Sequence, residues 1–432
     1  MTIRIDKPVQ GGTVRAIASK SEAQRLLICA ALASGSMDRE CFIVCPQRSE
    51  DIDAAVRCLM ALGAELRYED EGFYIRPIDR RIDRLIGQKK SYVLDCGESG
   101  ATLRFLLPIC GALGYSVTFN MSGRLPSRPL STLRDEMTSH GCTLAMKDDT
   151  TLACEGRLIY GTYTLPGNIS SQFVSGLLFA LPQLNGESII RIAGVLQSRP
   201  YVDMTLDALG LFGVKILEEE ASVFRIPGRQ TSSSPVKVKV SGDWSNAAFW
   251  LSAGAIGKSV TCTDLDQNSR QGDRAIVELL KRFGARVTCN QDTVTISPAP
   301  LNGIEIDAKD IPDLVPVLAA VASVAHGKTV IRKAGSLRIK ESDRLRTIAM
   351  SLSALGADIK ETEDGLEITG RKSLKGGETP SYQDHRIAMA AAVLSAACTG
   401  PVVIQNAEAV RKSYPGFFED FCALGGRYEH LR

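Results

Sequence analysis

The sequence predicts an α/β protein made of six β-α-β-α-β-β units, three to each of two domains. Three observations lead there. A helical pattern closed by glycine and followed by an alternating apolar strand recurs six times, with glycines at 63, 141, 213, 284, 356 and 425, spaced by 78, 72, 71, 72 and 69 residues. One glycine after a helix is an ordinary C-cap, because glycine enters the left-handed conformation without a Cβ penalty; six at one period mark repeated supersecondary units. A polar residue stands 40 to 43 positions before each glycine, namely Ser21, Ser99, Ser171, Asp243, Asp313 and His385, and each opens a helical run. The two helices of each unit also differ in character, one apolar all round and one amphipathic.

The first helix of the first unit reads Leu26-Leu27-Ile28-Cys29-Ala30-Ala31-Leu32, and that of the fifth Leu314-Val315-Pro316-Val317-Leu318-Ala319-Ala320-Val321. Helices apolar on every face belong in a core. The second helix, as in Arg344 to Leu355, alternates apolar and charged residues with a helical period and should lie outside. Strand patterns such as Val236-Lys237-Val238-Lys239-Val240 and Val294-Thr295-Ile296 complete the unit.

At 432 residues, with 23% charged and 44% hydrophobic, the chain has material for more than one core. The stretch Thr231-Ser232-Ser233-Ser234-Pro235, after the third repeat, is the expected linker. A formal charge of +2 argues against a nucleic-acid binder, so affinity for anions must come from local clustering. The apolar runs fall short of the roughly 20 residues of a membrane helix, and Met1-Thr2-Ile3-Arg4-Ile5 leads into strand-like sequence without a signal-peptide core. Twelve scattered cysteines, among them Cys29, Cys110 and Cys398 in apolar helices, suit a reducing, cytoplasmic setting. Cys41 and Cys45 have no second pair at ligand spacing, so neither a metal site nor a cofactor is expected.

Helix N-termini present free N–H groups and partial positive charge, which favour anions. The residues at these starts are therefore the candidates for binding. Ser19-Lys20-Ser21 with Arg25 places Ser21 and Arg25 on one helix face, although an N-cap with a surface arginine would look the same. Glu98-Ser99-Gly100-Ala101-Thr102-Leu103-Arg104 is a small-residue turn where Gly100 permits close approach, and Arg124-Leu125-Pro126-Ser127-Arg128-Pro129 is either an anion loop or a solvated one. Ser170-Ser171-Gln172 and Ser198-Arg199-Pro200-Tyr201 offer hydroxyls suited to phosphate, or simple caps. Asp313, at the mouth of an apolar helix, is a cap or a base. Lys340-Glu341-Ser342-Asp343-Arg344 is either an ion-pair network or an acid–base cluster, and Asp384-His385-Arg386 and Lys412-Ser413-Tyr414-Pro415 follow.

In order and spacing these motifs, from residue 19 to residue 415, resemble those of the 5-enolpyruvylshikimate-3-phosphate synthases, the 3-phosphoshikimate 1-carboxyvinyltransferase family. The resemblance implies a two-domain inside-out α/β barrel: residues 1–20 plus 240–432 in one domain, 21–239 in the other, and the active site in the cleft between them. It implies a monomer whose only partners are small molecules. The implied reaction transfers the enolpyruvyl group of phosphoenolpyruvate to the 5-hydroxyl of shikimate 3-phosphate through a tetrahedral intermediate and releases phosphate. Ser170, Ser171 and Ser198 would hold the shikimate phosphate, with Ser21 and Arg25 toward the carboxylate and Gln172, Asp313 and Lys340 alongside. Arg128, Arg344, Arg386, Lys412 and the Gly100 backbone would surround phosphoenolpyruvate, which Gln172 also borders. Lys20 would touch both substrates. Asp313 would be the base toward the hydroxyl, and Glu341 the acid toward the methylene carbon, with Lys20 sharing the proton traffic.

Glu98, Phe105 and Ser336 depart from residues common in that family, and Ser336 is left out of the expected site. Gly100 implies room for glyphosate, the family's inhibitor, since a methyl group there would crowd it. The related UDP-N-acetylglucosamine enolpyruvyl transferases would show Lys-Asn where this chain has Lys20-Ser21, and a cysteine in the 120–128 loop, which here has none. A non-catalytic anion-binding repeat protein would have no use for Asp313 and Glu341 beside its cations.

Overall fold

The computed structural model describes residues 1–79, 91–220 and 222–431. The chain divides into a flanking unit, Met1–Ser19 with Ser241–Arg432, and a middle unit, Lys20–Val240. Among the described residues each contains three four-stranded sheets of one pattern, in which two parallel strands are followed by two antiparallel ones.

In the middle unit the pattern is plainest in the sheet Ser91–Gly97, Ser116–Met121, Thr151–Gly156, Cys142–Met146, with Leu94 opposite Phe119 and Thr118 opposite Ala153. Between its two parallel strands lies the apolar helix Gly100–Leu113, and after them the amphipathic helix Ser131–Ser139, which gives the expected β-α-β-α-β-β order. The same linear order holds from Thr162 to Ile226 and, in the flanking unit, from Glu305 to Thr369.

The other three sheets borrow a strand from far along the chain. Lys237–Lys239 pairs in parallel with Cys41–Val44, and Gly12–Arg15 with Val260–Thr263. Thr2–Lys7 lies between Val402–Gln405 and Arg427–Leu431, antiparallel to both. The borrowing satisfies backbone N–H and C=O groups that would otherwise stand unpaired at a sheet edge.

The apolar helices form the cores. In the flanking unit Trp244–Ile256, Val315–Ala322 and His385–Leu394 pack on one another, with Trp244 and Trp250 fully buried. In the middle unit, Gly100–Leu113 and Ser171–Ala180 approach so closely that a Cβ on Gly176 would fall inside the Arg104 carbonyl. All six repeat glycines follow amphipathic helices and are left-handed, with φ between 79° and 111°. At such positions a side chain costs about 1–2 kcal/mol.

Three expectations need correction. The 231–235 stretch is no linker: Ser232 Oγ donates to the Leu32 carbonyl (3.2 Å), and Ser234 N donates to Ser36 Oγ (2.8 Å), both within the middle unit. The caps of two inner helices fall one residue early, on Ser170 and Asp384 instead of Ser171 and His385. Asp313 lies in the turn Pro312–Leu314 that leads into Val315–Ala322, where it makes no side-chain cap. Among the described residues no helix is long and apolar enough to cross a membrane.

Candidate active site

In the flanking unit the helix starts bring together a compact charged cluster around Arg344. Arg344 is the first residue of Arg344–Ala354, whose cap Asp343 accepts from the Arg346 amide, and it is 2% exposed. Its Nε donates to Asp384 Oδ2 (2.7 Å), Nη1 to Asp313 Oδ1 (2.9 Å) and Nη2 to Glu341 Oε2 (2.7 Å). Burial works against its charge, but Asp384, Glu341 and Asp313 outweigh that and hold the guanidinium above its ordinary pKa. A buried cation with three carboxylates keeps its charge because each partner offsets desolvation.

Arg386 clamps Asp313 from the other side. Its Nη2 lies 3.2 Å from Asp313 Oδ2, and Nη1 donates to the Asp313 carbonyl (3.1 Å). Asp384 is the anchor beneath: it caps its own helix by accepting from the Arg386 amide (3.0 Å) and also takes the Ser342 hydroxyl (3.0 Å). Asp313 and Glu341 remain partly accessible, at 17% and 11%. Lys340 is half-buried at the end of the turn Gly335–Ile339. Lys412 is 5% exposed and ends the turn Ala407–Lys412. The following Tyr414 is pinned by Trp250 Nε1 (3.0 Å) and donates to Asp420 Oδ2 (2.5 Å). His385 is 1% exposed.

The middle unit holds the remaining candidates. Lys20 Nζ pairs with Asp51 Oδ2 at 2.9 Å, and Gln24 Nε2 donates to the Asp51 carbonyl at the same distance. Arg25 spends its head on Thr205 Oγ1 (2.8 Å) and on the carbonyls of Ser21 (2.6 Å) and Tyr201 (2.8 Å), and its guanidinium carbon lies 5.1 Å from the Phe105 ring centre. Burial lowers its pKa to about 10. Arg25 thus ties the start of its own helix to the start of Arg199–Leu211 and keeps Ser21 and Ser198 on braced elements.

Gly100 opens its helix behind the cap Ser99, and Arg128 lies against it: a Cβ there would stand 2.8 Å from Arg128 Nη1. Arg104 Nη1 donates to Gln172 Oε1 (2.8 Å) and Nη2 to the Pro129 carbonyl (3.1 Å), so one arginine fixes both Gln172 and the loop that carries Arg128. Ser170 accepts from the Gln172 amide (3.3 Å), and Ser171 is the first helical residue. Ser198 is left-handed (φ 55°) and caps nothing with its side chain. Strain of that kind gathers at sites that need a side chain aimed.

Sequence reasoning missed Asp51, Gln24 and the bracing roles of Arg104 and Asp384. Only the capping part of Asp384's role was legible, since it precedes an apolar helix as a cap should. Asp51 stands 31 residues from its partner, among the acids Glu50 and Asp53 that open the helix Glu50–Ala61, and carries no mark of its own.

The EPSP synthase (3-phosphoshikimate 1-carboxyvinyltransferase) family model matches residues 3–421. A 3-phosphoshikimate 1-carboxyvinyltransferase from Clostridium kluyveri is 44% identical over 423 residues, covering 97% of this chain and 96% of that one; another, from Clostridium novyi, is 42% identical, covering 98% and 97%. Among solved structures, EPSP synthase from Acinetobacter baumannii superposes with a TM-score of 0.79 at 23% identity, covering 99% of this chain and 100% of the other. The enolpyruvyl transferase NikO from Streptomyces tendae gives 0.78 at 20%, covering 100% and 98%. These two likenesses show the fold; the sequence matches go further, and the chain belongs to the EPSP synthase (3-phosphoshikimate 1-carboxyvinyltransferase) family.

Proposed function

We infer that this chain transfers the enolpyruvyl group of phosphoenolpyruvate to the 5-hydroxyl of shikimate 3-phosphate, with release of inorganic phosphate. The observation that carries the reading is the cluster in which Arg344 and Arg386 hold Asp313 while Glu341 shares Arg344. Two partly accessible carboxylates and two buried guanidinium groups are what an addition–elimination between two anions requires.

Asp313 takes the proton of the 5-hydroxyl as its oxygen bonds to C2 of phosphoenolpyruvate, and Glu341 delivers a proton to C3, giving a tetrahedral ketal phosphate. Glu341 then takes a proton back from the new methyl group, re-forming the methylene as the C2–O bond to phosphate breaks, and the departing phosphate carries off the proton that Asp313 accepted, so both carboxyl groups return to their starting states. The arginines act by exchange. Before substrate enters they are neutralised by Asp313, Glu341 and Asp384. The phosphate and carboxylate of phosphoenolpyruvate then draw Arg344 and Arg386, and Asp313, losing cationic partners, holds a proton more strongly and becomes a better base. Lys412, Arg128 and the Gly100 backbone complete the phosphoenolpyruvate set, and Lys20, held by Asp51, serves both substrates. Ser170, Ser171, Ser198, Ser21, Arg25, Gln172 and Lys340 serve shikimate 3-phosphate. The assigned residues come from both units. The enzyme works as a cytoplasmic monomer on small molecules alone; nine buried thiols and no disulfide among twelve cysteines suit that setting.

The test is phosphate release by purified protein given phosphoenolpyruvate and shikimate 3-phosphate with excess chelator, beside UDP-N-acetylglucosamine as the competing acceptor. Release with shikimate 3-phosphate alone is expected. Release only with the nucleotide sugar, or none, would refute the reading.

A further inference from the structure

Asp273 is a buried carboxylate with no part in the reaction as described. It lies in the turn Gly272–Ala275 and is 2% exposed. Its Oδ2 accepts a very short hydrogen bond from Ser245 Oγ, while its Oδ1 is buried with no hydrogen-bond partner among the described residues. The fold makes no evident use of a charge there. Asp243 caps Trp244–Ile256, and the neighbouring Gln271 already fastens the turn, accepting from the Trp244 amide (3.0 Å) and donating to the Gly242 carbonyl (2.9 Å). An ion so placed is costly, and a carboxyl group retained at such a cost calls for a purpose.

The helix Trp244–Ile256 packs on both the turn that carries Asp273 and the turn Pro312–Leu314 that carries Asp313. Groups on three neighbouring elements act on Asp273. Asp313 and Asp243 oppose its ionisation, while Arg386, from the third inner helix, and the Ser245 hydroxyl favour it. Burial first, then Asp313, push Asp273 up to about 7.

We propose that Asp273 is a positioning residue for the transfer reaction, one whose charge state controls how strongly Asp313 holds a proton. This rests on Asp313 being the base, as read above. Below neutrality Asp273 is a neutral acid, and Asp313 feels chiefly its arginines. As Asp273 ionises, a negative charge near Asp313 offsets part of their pull, and Asp313 becomes the stronger base toward the 5-hydroxyl.

The experiment is kcat for phosphate release at saturating phosphoenolpyruvate and shikimate 3-phosphate, from about pH 5.5 to about pH 9, for the wild type, Asp273→Asn, Ser245→Ala and Asp313→Asn. The wild-type profile should rise through an inflection near neutrality that Asp273→Asn lacks, so that the ratio of wild-type to variant kcat grows about five- to tenfold between pH 6 and pH 8.5. Ser245→Ala, which removes a hydrogen bond favouring the ion, should move the inflection to higher pH; if Asp273→Asn does not fold, this shift decides alone. A uniform loss at every pH in Asp273→Asn, as a merely structural role would give, overturns the proposal, as does an inflection that neither variant moves. Wild-type turnover in Asp313→Asn would bring down the base assignment and this inference with it. Lost turnover there, beside an unmoved inflection in the other two variants, would overturn this inference alone.

Discussion

Replacing Gly100 by alanine should separate binding of one substrate from everything else the protein does. The backbone of Gly100 is not left-handed, and it is the first residue of its helix, so alanine suits the local conformation and gains up to about 1 kcal/mol of helix preference. The new Cβ, however, would stand 2.8 Å from Arg128 Nη1, 3.1 Å from Cζ and 3.3 Å from Nη2. Ordinary contact is about 3.5 Å, so the guanidinium must retreat by roughly 0.7 Å, which a long side chain can do without unfolding anything. Arg128 then reaches phosphoenolpyruvate poorly. Losing a charge-assisted hydrogen bond outright costs about 1.5–3 kcal/mol, and losing about half of it raises KM for phosphoenolpyruvate roughly three- to twelvefold. Glyphosate inhibition should weaken as well, because the methyl group takes up room beside Arg128. The assay is steady-state phosphate release with each substrate varied at saturation of the other, beside a thermal melt. KM for phosphoenolpyruvate should rise while KM for shikimate 3-phosphate and the melting midpoint hold. An unchanged KM for phosphoenolpyruvate, or both KM values rising with a lowered midpoint, would refute the reasoning.

Asp384→Asn keeps shape and a capping oxygen but removes a carboxylate from buried Arg344; kcat/KM should fall about 100-fold, measured with both substrates, since Arg344 loses the partner that aims it. Asp51→Asn leaves Lys20 without its 2.9 Å ion pair, and kcat should drop about tenfold with the fold intact by circular dichroism. Asp273 is raised in the folded state, so its contribution to stability is fully present below about pH 4 and is lost as pH rises through about 7. Asp273→Asn should therefore become more stable relative to wild type between pH 5 and pH 8, by up to about 3 kcal/mol in urea unfolding. A variant whose relative stability ignores pH would contradict the direction of that shift.

What could be read in the sequence was whatever a single residue's own conformation demands. The six glycines announce themselves because each takes a backbone angle that costs other residues energy, and they fix the period, the outer helices and the register of the repeat. Caps were legible only to within one residue. Ser170 and Ser171 can both cap, as Asp384 and His385 both sit at a helix start, and geometry alone chooses. The serine-rich stretch at 231–235 misled because composition reports flexibility, whereas Ser232 and Ser234 are each tied into the middle unit by a hydrogen bond. Strand exchange, the Asp51–Lys20 pair and the Asp384 hub are products of distant segments meeting, which no local pattern records. Arg25 shows the same limit, because its helix position foretold a charged face but not that Thr205 and two carbonyls would occupy its head.

The borrowed strands also set an order of assembly during synthesis. The middle unit has every strand it needs once Lys237–Lys239 has been made, so it can complete its three sheets while the rest of the chain is still being translated. Thr2–Lys7 has no such opportunity. Made before the middle unit, it must wait for Val402–Gln405 and Arg427–Leu431, which come after that unit, before either of its edges is covered. A waiting strand invites the wrong neighbour, and this one carries Arg4, Asp6 and Lys7 among its six residues, charges that discourage stray pairing until its proper partners emerge.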